Sequence, residues 1–296
     1  MTLLVAGSAN LDFVVRVPHI PAPGETVLGR ALQTFPGGKG ANQAIACARA
    51  GGAPTRMLLA LGNDAQAEPI EASLRDAGVD LHIVRSAREP TGMAFIGLAD
   101  NAENAITVAP GANATLAPAD LPSLAGVSHL LLQLETPLAT VAAYARQAHA
   151  AGVAVVLNAA PAQPLPTALL ADVDLLIVNE GELAAIAGPQ PSLEAALAGV
   201  GVRCVVVTQG ASGCCAWHEG RLLRQDAFAV DAVDTTAAGD TFCGALVAAL
   251  SRQATLPQAL KRASAAAALA CTKLGAQTSI PTADEVETFL ARRSAP

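Results

Sequence analysis

The sequence predicts an α/β fold: a single domain over residues 1–296, built on a mainly parallel central sheet with helices on both faces, plus a small second sheet. Three observations predict it. Short continuous apolar runs recur along the chain and end in turn residues, as strands covered on both faces do. Alanine-rich segments of helical period lie between them. Two further segments break the alternation with a polar–apolar pattern punctuated by Pro and Gly.

In chain order, the buried strands are expected at 3–7, 127–132, 153–158, 174–179 and 204–208. Helices are expected at 40–50, 136–151, 181–187, 193–197, 239–250 and 257–271. The two exceptions, 13–17 with 25–35 and 91–108, read as antiparallel strands of an inserted sheet, a lid with strands from about 13–35 and 91–108. Such a sheet needs a cover for its second face: the substrate cleft, a second subunit, or both. No Ser/Gly or Pro linker divides the chain.

Composition narrows the function. The 296 residues carry a net charge of −7, are 52% apolar and only 15% charged. Ordinary soluble domains are roughly 25% charged, so a large core is expected and disorder is not. The acidic balance, without a Lys/Arg run, argues against nucleic acid or an anionic membrane as partner. Gly, Pro or a charge interrupts every apolar stretch before the ~18 residues needed to cross a bilayer. The amino terminus lacks the basic region of a signal peptide and reads as a strand. Six cysteines without C-x-x-C spacing indicate neither a zinc site nor a disulfide framework. A cytoplasmic setting with reduced thiols is the expectation.

The sharpest motif is Asp234-Thr235-Thr236-Ala237-Ala238-Gly239-Asp240, which leads into a strongly helical segment. A helix start leaves N–H groups unpaired, and Ala and Gly let an anion approach them. Asp240 there is a dipole-favouring cap on one reading. On the other it takes a proton from a hydroxyl while the anion hole stabilises a transferring phosphoryl group.

Pro36-Gly37-Gly38-Lys39-Gly40-Ala41-Asn42 has neither P-loop nor G-x-G-x-x-G spacing. It is either a tight turn or a turn that delivers Lys39 and Asn42 to sugar hydroxyls. Asn10 and Asp12 follow the first strand and Glu135 follows another, where open α/β sheets bind ligands; an Asx-turn is the competing reading. Asn179 and Glu182, at a strand end opening a helix, read equally as a capping pattern or a modest magnesium site. The small-residue loop Thr208-Gln209-Gly210-Ala211-Ser212-Gly213 is a nucleotide contact or a plain connection. Carboxylates and amides around a single cation, Lys39, suit a neutral polyhydroxy substrate better than a sugar phosphate. With only 3% aromatic residues, a stacked nucleoside is disfavoured.

Taken in order, these segments resemble the ribokinase-type (PfkB) family of carbohydrate kinases over essentially the whole chain. Gly37–Asn42 resembles the family's amino-terminal signature and Asp234–Asp240 its highly specific carboxy-terminal one. Pro23-Gly24-Glu25-Thr26, Pro110-Gly111-Ala112-Asn113, Gln133-Leu134-Glu135 and Lys273-Leu274-Gly275-Ala276-Gln277 add to the likeness.

The resemblance implies a ribokinase-like three-layer α/β/α sandwich with a β-sheet lid. It implies ATP-dependent phosphorylation of a neutral sugar, with D-ribose at its 5-hydroxyl expected first and 2-deoxyribose or a nucleoside as alternatives. Asp240 would be the base, and the backbone of Ala237, Ala238 and Gly239 the anion hole. Asn10, Leu11, Asp12, Gly38, Lys39, Gly40, Ala41, Asn42, Glu135 and Asp240 would hold the sugar. Asn179, Thr208, Gln209, Gly210, Ala211, Ser212, Gly213, Gly239, Asp240 and Ser264 would contact ATP. Ser264 stands where the family pattern has His or Asn. Glu182 would sit near Mg2+ through water. Asp234, Thr236, Ala270, Lys273, Gly275 and Ser279 would surround an activating K+, several through carbonyls. Homodimers paired through the lid are also implied.

Overall fold

The computed structural model describes residues 2–101 and 103–294. Met1, Ala102, Ala295 and Pro296 lie outside the described residues; Ala102 falls in the expected second lid segment and the others at the ends of the expected domain. The chain runs β1 (Thr2–Ala6), β2 (Asn10–Val17), β3 (Ala31–Gly37), α1 (Lys39–Ala48), β4 (Thr55–Gly62), α2 (Ala67–Asp76), β5 (Asp80–Ser86), β6 (Gly92–Ala99), β7 (Asn104–Ala109) and β8 (Val127–Leu132). It continues α3 (Leu138–Ala150), β9 (Ala154–Asn158), α4 (Thr167–Leu170), β10 (Leu175–Asn179), α5 (Glu180–Ala187), α6 (Leu193–Gly199), β11 (Cys204–Thr208), β12 (Cys214–His218), β13 (Arg221–Gln225), α7 (Ala238–Ser251), α8 (Leu256–Cys271) and α9 (Ala283–Ser294).

Nine strands form the main sheet, in the order β13-β12-β11-β10-β9-β8-β1-β4-β5. The pairings from β11 through to β5 are all parallel, while β12 and β13 return antiparallel at one edge. Alternate residues of each strand enter two separate cores. Leu3, Val5, Met57, Leu59, Val156 and Ile177 pack under α1, α2, α7, α8 and α9. Their neighbours Leu4, Leu58, Ala60, Val155, Leu157 and Leu176 pack under α3 to α6. Both faces are therefore covered, as the continuous apolar runs require, and each fully buried Val or Leu contributes roughly 1.5–3 kcal/mol. The expected helices and main-sheet strands all form, with ends shifted by no more than two residues.

Small residues set how closely the helices cross. A Cβ at Gly244 of α7 would lie 2.5 Å from Ala46 Cβ and 2.7 Å from Gln43 O of α1. This close approach brings α1 side chains onto the start of α7.

The small sheet has the order β3-β2-β6-β7 and differs from expectation in two ways. β2 and β6 pair in parallel, so the sheet is mixed and not antiparallel throughout. Its two hairpin-like halves are joined by the long passage through α1, β4, α2 and β5, and a connection of that length permits parallel pairing. Regular pairing of the first half also begins at Ala31, leaving residues 25–30 outside the strand. Phe13 and Phe95 stack across the parallel pair at 5.5 Å, while Leu32, Phe95, Ile106 and Val108 remain exposed.

Candidate active site

The main sheet's strand ends, the start of α1 and the start of α7 enclose a cavity of about 170 Å3, lined by Lys39, Asn158, Asn179, Glu182, Gly239 and Asp240 among others. A wider groove of about 500 Å3 lies open over α2, between Asp64 and Arg85, and shares none of these residues.

Asp240 sits in the first turn of α7, 8% exposed. Ala237 caps that helix in the left-handed region, with φ 58°. The Ala238 N–H donates to Thr235 O, whereas the N–H groups of Ala237, Gly239 and Asp240 have no acceptor among the described residues. Of the expected anion-hole amides, Ala237 and Gly239 keep free donors and Ala238 does not, while Asp240 adds one that was not expected. Asp240 is an uncapped carboxylate in this turn: its oxygens take side-chain donors from α1, not from its own helix. Asn42 Nδ2 donates to Oδ2 and Gln43 Nε2 to Oδ1, each at 2.9 Å. Burial raises the Asp240 pKa, against Lys39 and those two hydrogen bonds, which favour the charged form.

Lys39 opens α1. Burial works against its charge, but Asp240, Glu135 and Glu182 outweigh it and hold the pKa above its usual value. Glu135 is fixed by Ser8 Oγ (2.6 Å) and by the Lys39 N–H (3.0 Å). Gly38, with φ 90°, makes the turn; a Cβ there would lie 2.8 Å from Ala9 Cα. Asn10 and Asp12 belong to β2 and not to an Asx-turn. Asn113 Nδ2 holds the Asn10 Oδ1 at 2.8 Å. The Asp12 carboxylate accepts no hydrogen bond from the described residues; burial, then Glu135 and Asp240, raise its pKa to about 7.

Three of the expected sugar contacts point elsewhere. The Leu11 and Ala41 side chains lie in the core. Gly40 abuts the backbone, where a Cβ would be 2.6 Å from Ser8 N. Only their main chain can face a ligand.

On the expected nucleotide side, Asn179 and Glu182 form a reciprocal capping box: each side chain accepts the other's N–H at 2.8 Å. Glu182 Oε1 stays uncommitted. Burial raises the Glu182 pKa, and Lys39 opposes that rise. One free carboxylate oxygen fits a magnesium ion that keeps most of its water. The Thr208–Gly213 loop is tied down by Gln209, whose Nε2 donates to Glu180 and whose Oε1 accepts from Cys215. Ser264 is buried in α8, its hydroxyl 3.8 Å from Cys214 Sγ, and is not among the cavity residues. This placement gives no support to the adenine contact expected of it.

The expected K+ residues gather from two segments. Asp234 Oδ1 accepts from Thr236 N and Oγ1 (2.9 and 2.6 Å), and Oδ2 accepts from Gly275 N (2.9 Å). Partial burial opposes its charge, but these hydrogen bonds hold its pKa below the usual range. The Lys273 ammonium turns out to Glu285, leaving only its carbonyl for the site. Ser279 is fully buried and bonds to Ala276 O, and Ala270 O accepts the Lys273 N–H. One carboxylate among carbonyls fits a monovalent cation. Among the described residues no group of three or more His, Cys, Asp or Glu could hold a metal.

Sequence reasoning gave no site role to Ser8, Asn158 and Cys243, nor to Asn113 and Gln133, which it named only within motifs. Asn158 carries the signal that picked out Asn10, a polar residue at a strand's carboxyl end. Gln133, directly after β8, carries the same signal; Cys243 carries none, since its place depends on how α7 crosses α1.

Three comparisons bear on this geometry. A family model described as "pfkB family carbohydrate kinase" matches residues 2–283. The ribokinase of Haemophilus influenzae is 41% identical over 301 residues, covering 98% of each chain. Among solved structures, the ribokinase of Thermotoga maritima superposes with TM-score 0.91 at 36% identity, covering 98% of this chain and 99% of that one. The Arabidopsis thaliana ribokinase complexed with ribose and ATP gives TM-score 0.89 at 34% identity, covering 97% and 98%.

Proposed function

This chain belongs to the pfkB family of carbohydrate kinases, and from that premise we propose that it transfers the γ-phosphoryl group of ATP to the 5-hydroxyl of D-ribose, giving ribose 5-phosphate. One observation carries the reading: a buried carboxylate, Asp240, stands in the same helix turn as the free N–H groups of Gly239 and Asp240 and faces the cavity that Lys39 enters. Asp240 removes the hydroxyl proton, and the two amides stabilise charge on the migrating phosphoryl group.

Asn10, Asp12, Lys39, Asn42 and Glu135 hold the sugar, with the Gly38 backbone alongside. A site with three carboxylates around one ammonium favours a substrate of hydroxyls over a phosphorylated one. Asn179 and the Thr208–Gly213 loop meet the nucleotide. Glu182 would hold Mg2+ through water, and the ion would supply neutralisation of phosphate charge. Asp234, Thr236 and the carbonyls near 270–279 would hold K+, whose charge would offset that of the phosphates. The small sheet closes as a lid over the sugar, and its exposed Leu32, Phe95, Ile106 and Val108 support pairing of two lids in a homodimer. No helix among the described residues is long and apolar enough to cross a membrane. The six free thiols suit a reducing cytoplasm.

An ADP-release assay across ribose, 2-deoxyribose, fructose, adenosine and fructose 6-phosphate, with and without potassium, tests the reading. Ribose is expected to give the highest kcat/KM. A higher value for 2-deoxyribose or adenosine would move the chain to another substrate within the family.

A further inference from the structure

The side chain behind Asp240 is Gln43, fully buried and next in sequence to the sugar-side Asn42. Its amide is the centre of a chain of hydrogen bonds that can run in only one direction. Ile177 O is a carbonyl and only accepts, so Asn158 must turn its Nδ2 towards it, at 3.2 Å. That leaves Asn158 Oδ1 facing Gln43, where it needs a donor and receives Nε2 at 2.9 Å. The second proton of the same Nε2 goes to Asp240 Oδ1, also at 2.9 Å. Gln43 Oε1 then faces the other way and accepts from Gln133 Nε2 at 2.7 Å. The one orphan in the chain, Gln133 Oε1, lies at the end remote from Asp240, in space that a Cβ on Gly7 would fill.

We propose that Gln43 is a positioning residue: its amide, oriented from the Ile177 carbonyl through Asn158 and anchored behind by Gln133, holds Asp240 as a hydrogen-bond acceptor and so keeps it a base. A freely rotating amide could turn its oxygen to a protonated Asp240 and stabilise the acid equally well; this one cannot without setting two oxygens against each other at Asn158. The charged and titratable groups around Asp240 are Lys39 of α1, Glu135 beyond β8, Asp12 of β2, Glu182 of α5 and Cys243 of α7. Gln43 differs from all of them in being neutral, so its effect is one of direction and not of net charge.

The effect on turnover rests on the reading of Asp240 as the base; the effect on its ionisation does not. The test is therefore a carbon-13 aspartate NMR titration of the ligand-free protein, with the Asp240 signal identified by its loss in Asp240→Asn. Gln43→Met is expected to raise the Asp240 midpoint by about one pH unit, the scale of one lost hydrogen bond to a carboxylate. The acid limb of kcat is expected to move with it, while KM for ribose stays within about threefold of the parent. An Asp240 midpoint equal to the parent's overturns the proposal. Should Gln43→Met fail to fold, Gln133→Met removes the outer anchor one hydrogen bond further away. A smaller rise is expected there, and no rise overturns the proposal equally. If the midpoint moves but Asp240→Asn keeps its turnover, the functional reading fails and the positioning role stands.

Discussion

Asn42 Nδ2 donates to Asp240 Oδ2 at 2.9 Å, joining residues 198 apart in the chain. The contact exists because α1 and α7 cross at Gly244, where no side chain keeps the two backbones apart. It ties the first turn of α1 to the carboxylate of α7 that lines the cavity. The two signature segments thus meet at a single hydrogen bond.

Asp240→Asn keeps the volume and the helix start but leaves no group able to take the hydroxyl proton. The expected outcome is a fall in kcat of at least ~10²-fold, the usual scale of a lost general base. Ribose and ATP should still bind, as titration calorimetry would record. Near-parent turnover would remove Asp240 from the role of base.

Gly244→Val tests the crossing itself. Its side chain would enter Ala46 and the backbone at Gln43 and Cys47, and overpacking of this kind costs about 1–3 kcal/mol. Because the strain falls on the α1–α7 contact, kcat should drop more than the loss in thermal stability would suggest. A variant with lowered Tm but unchanged kcat at 25 °C would show that the helices can part without disturbing Asp240.

How far the sequence exposed this arrangement differs by element. The strands of the main sheet were legible because residues such as Val205 and Val206 are both buried, one in each core, so no polar residue interrupts the run. The small sheet was legible as strands but not as a topology. Its β2–β6 pairing depends on a crossover through four other elements, and local alternation carries no direction. In the site, Asp240 and Lys39 stood out by motif. Carboxylates around one cation were legible too, but not their convergence, because Glu135 comes from beyond β8, Asp12 from β2 and Glu182 from α5. The capping box at Asn179 shows the opposite case: the plain reading of the motif is present in full, and a metal role can use only the oxygen it leaves over.

Asp234→Ala removes the carboxylate that gathers Thr236 and Gly275. Activation by potassium should fall to near zero, with KM for ribose changed by less than about threefold, since the residue touches none of the sugar-side groups. The check is kcat measured against KCl, with choline chloride holding ionic strength. Equal fold-activation in parent and variant would count against a cation at this place.

Ile106 is 56% exposed on the outer strand β7 of the small sheet. If two lids pair, Ile106→Glu places a charge in an apolar contact and should shift the protein from dimer to monomer in light scattering at micromolar concentration, with little change in Tm of the isolated chain. A parent protein that is itself monomeric at that concentration would refute lid pairing directly.

Asp12 offers a pH signature. Burial first, then Glu135 and Asp240, raise its pKa in the folded chain to about 7, from 3.8 when unperturbed. The folded protein therefore holds a proton between these values that the unfolded chain has already lost. Folding stability is complete on this account below pH ~4 and declines as pH rises towards 7, because the unfolded state binds fewer protons throughout that window. Asp12→Asn removes the penalty. Its stabilisation should be small at pH 4.5 and grow to on the order of 2 kcal/mol by pH 8, after allowing for the water that reaches a partly exposed carboxyl. Urea unfolding at the two pH values measures the difference. The same substitution should weaken ribose binding, because an amide replaces a carboxylate that can accept from two hydroxyls. Greater stability with poorer affinity is the pattern expected of a residue kept for its ligand and strained in its absence; equal stabilisation at both pH values would mean that Asp12 ionises in the folded chain as it does in water.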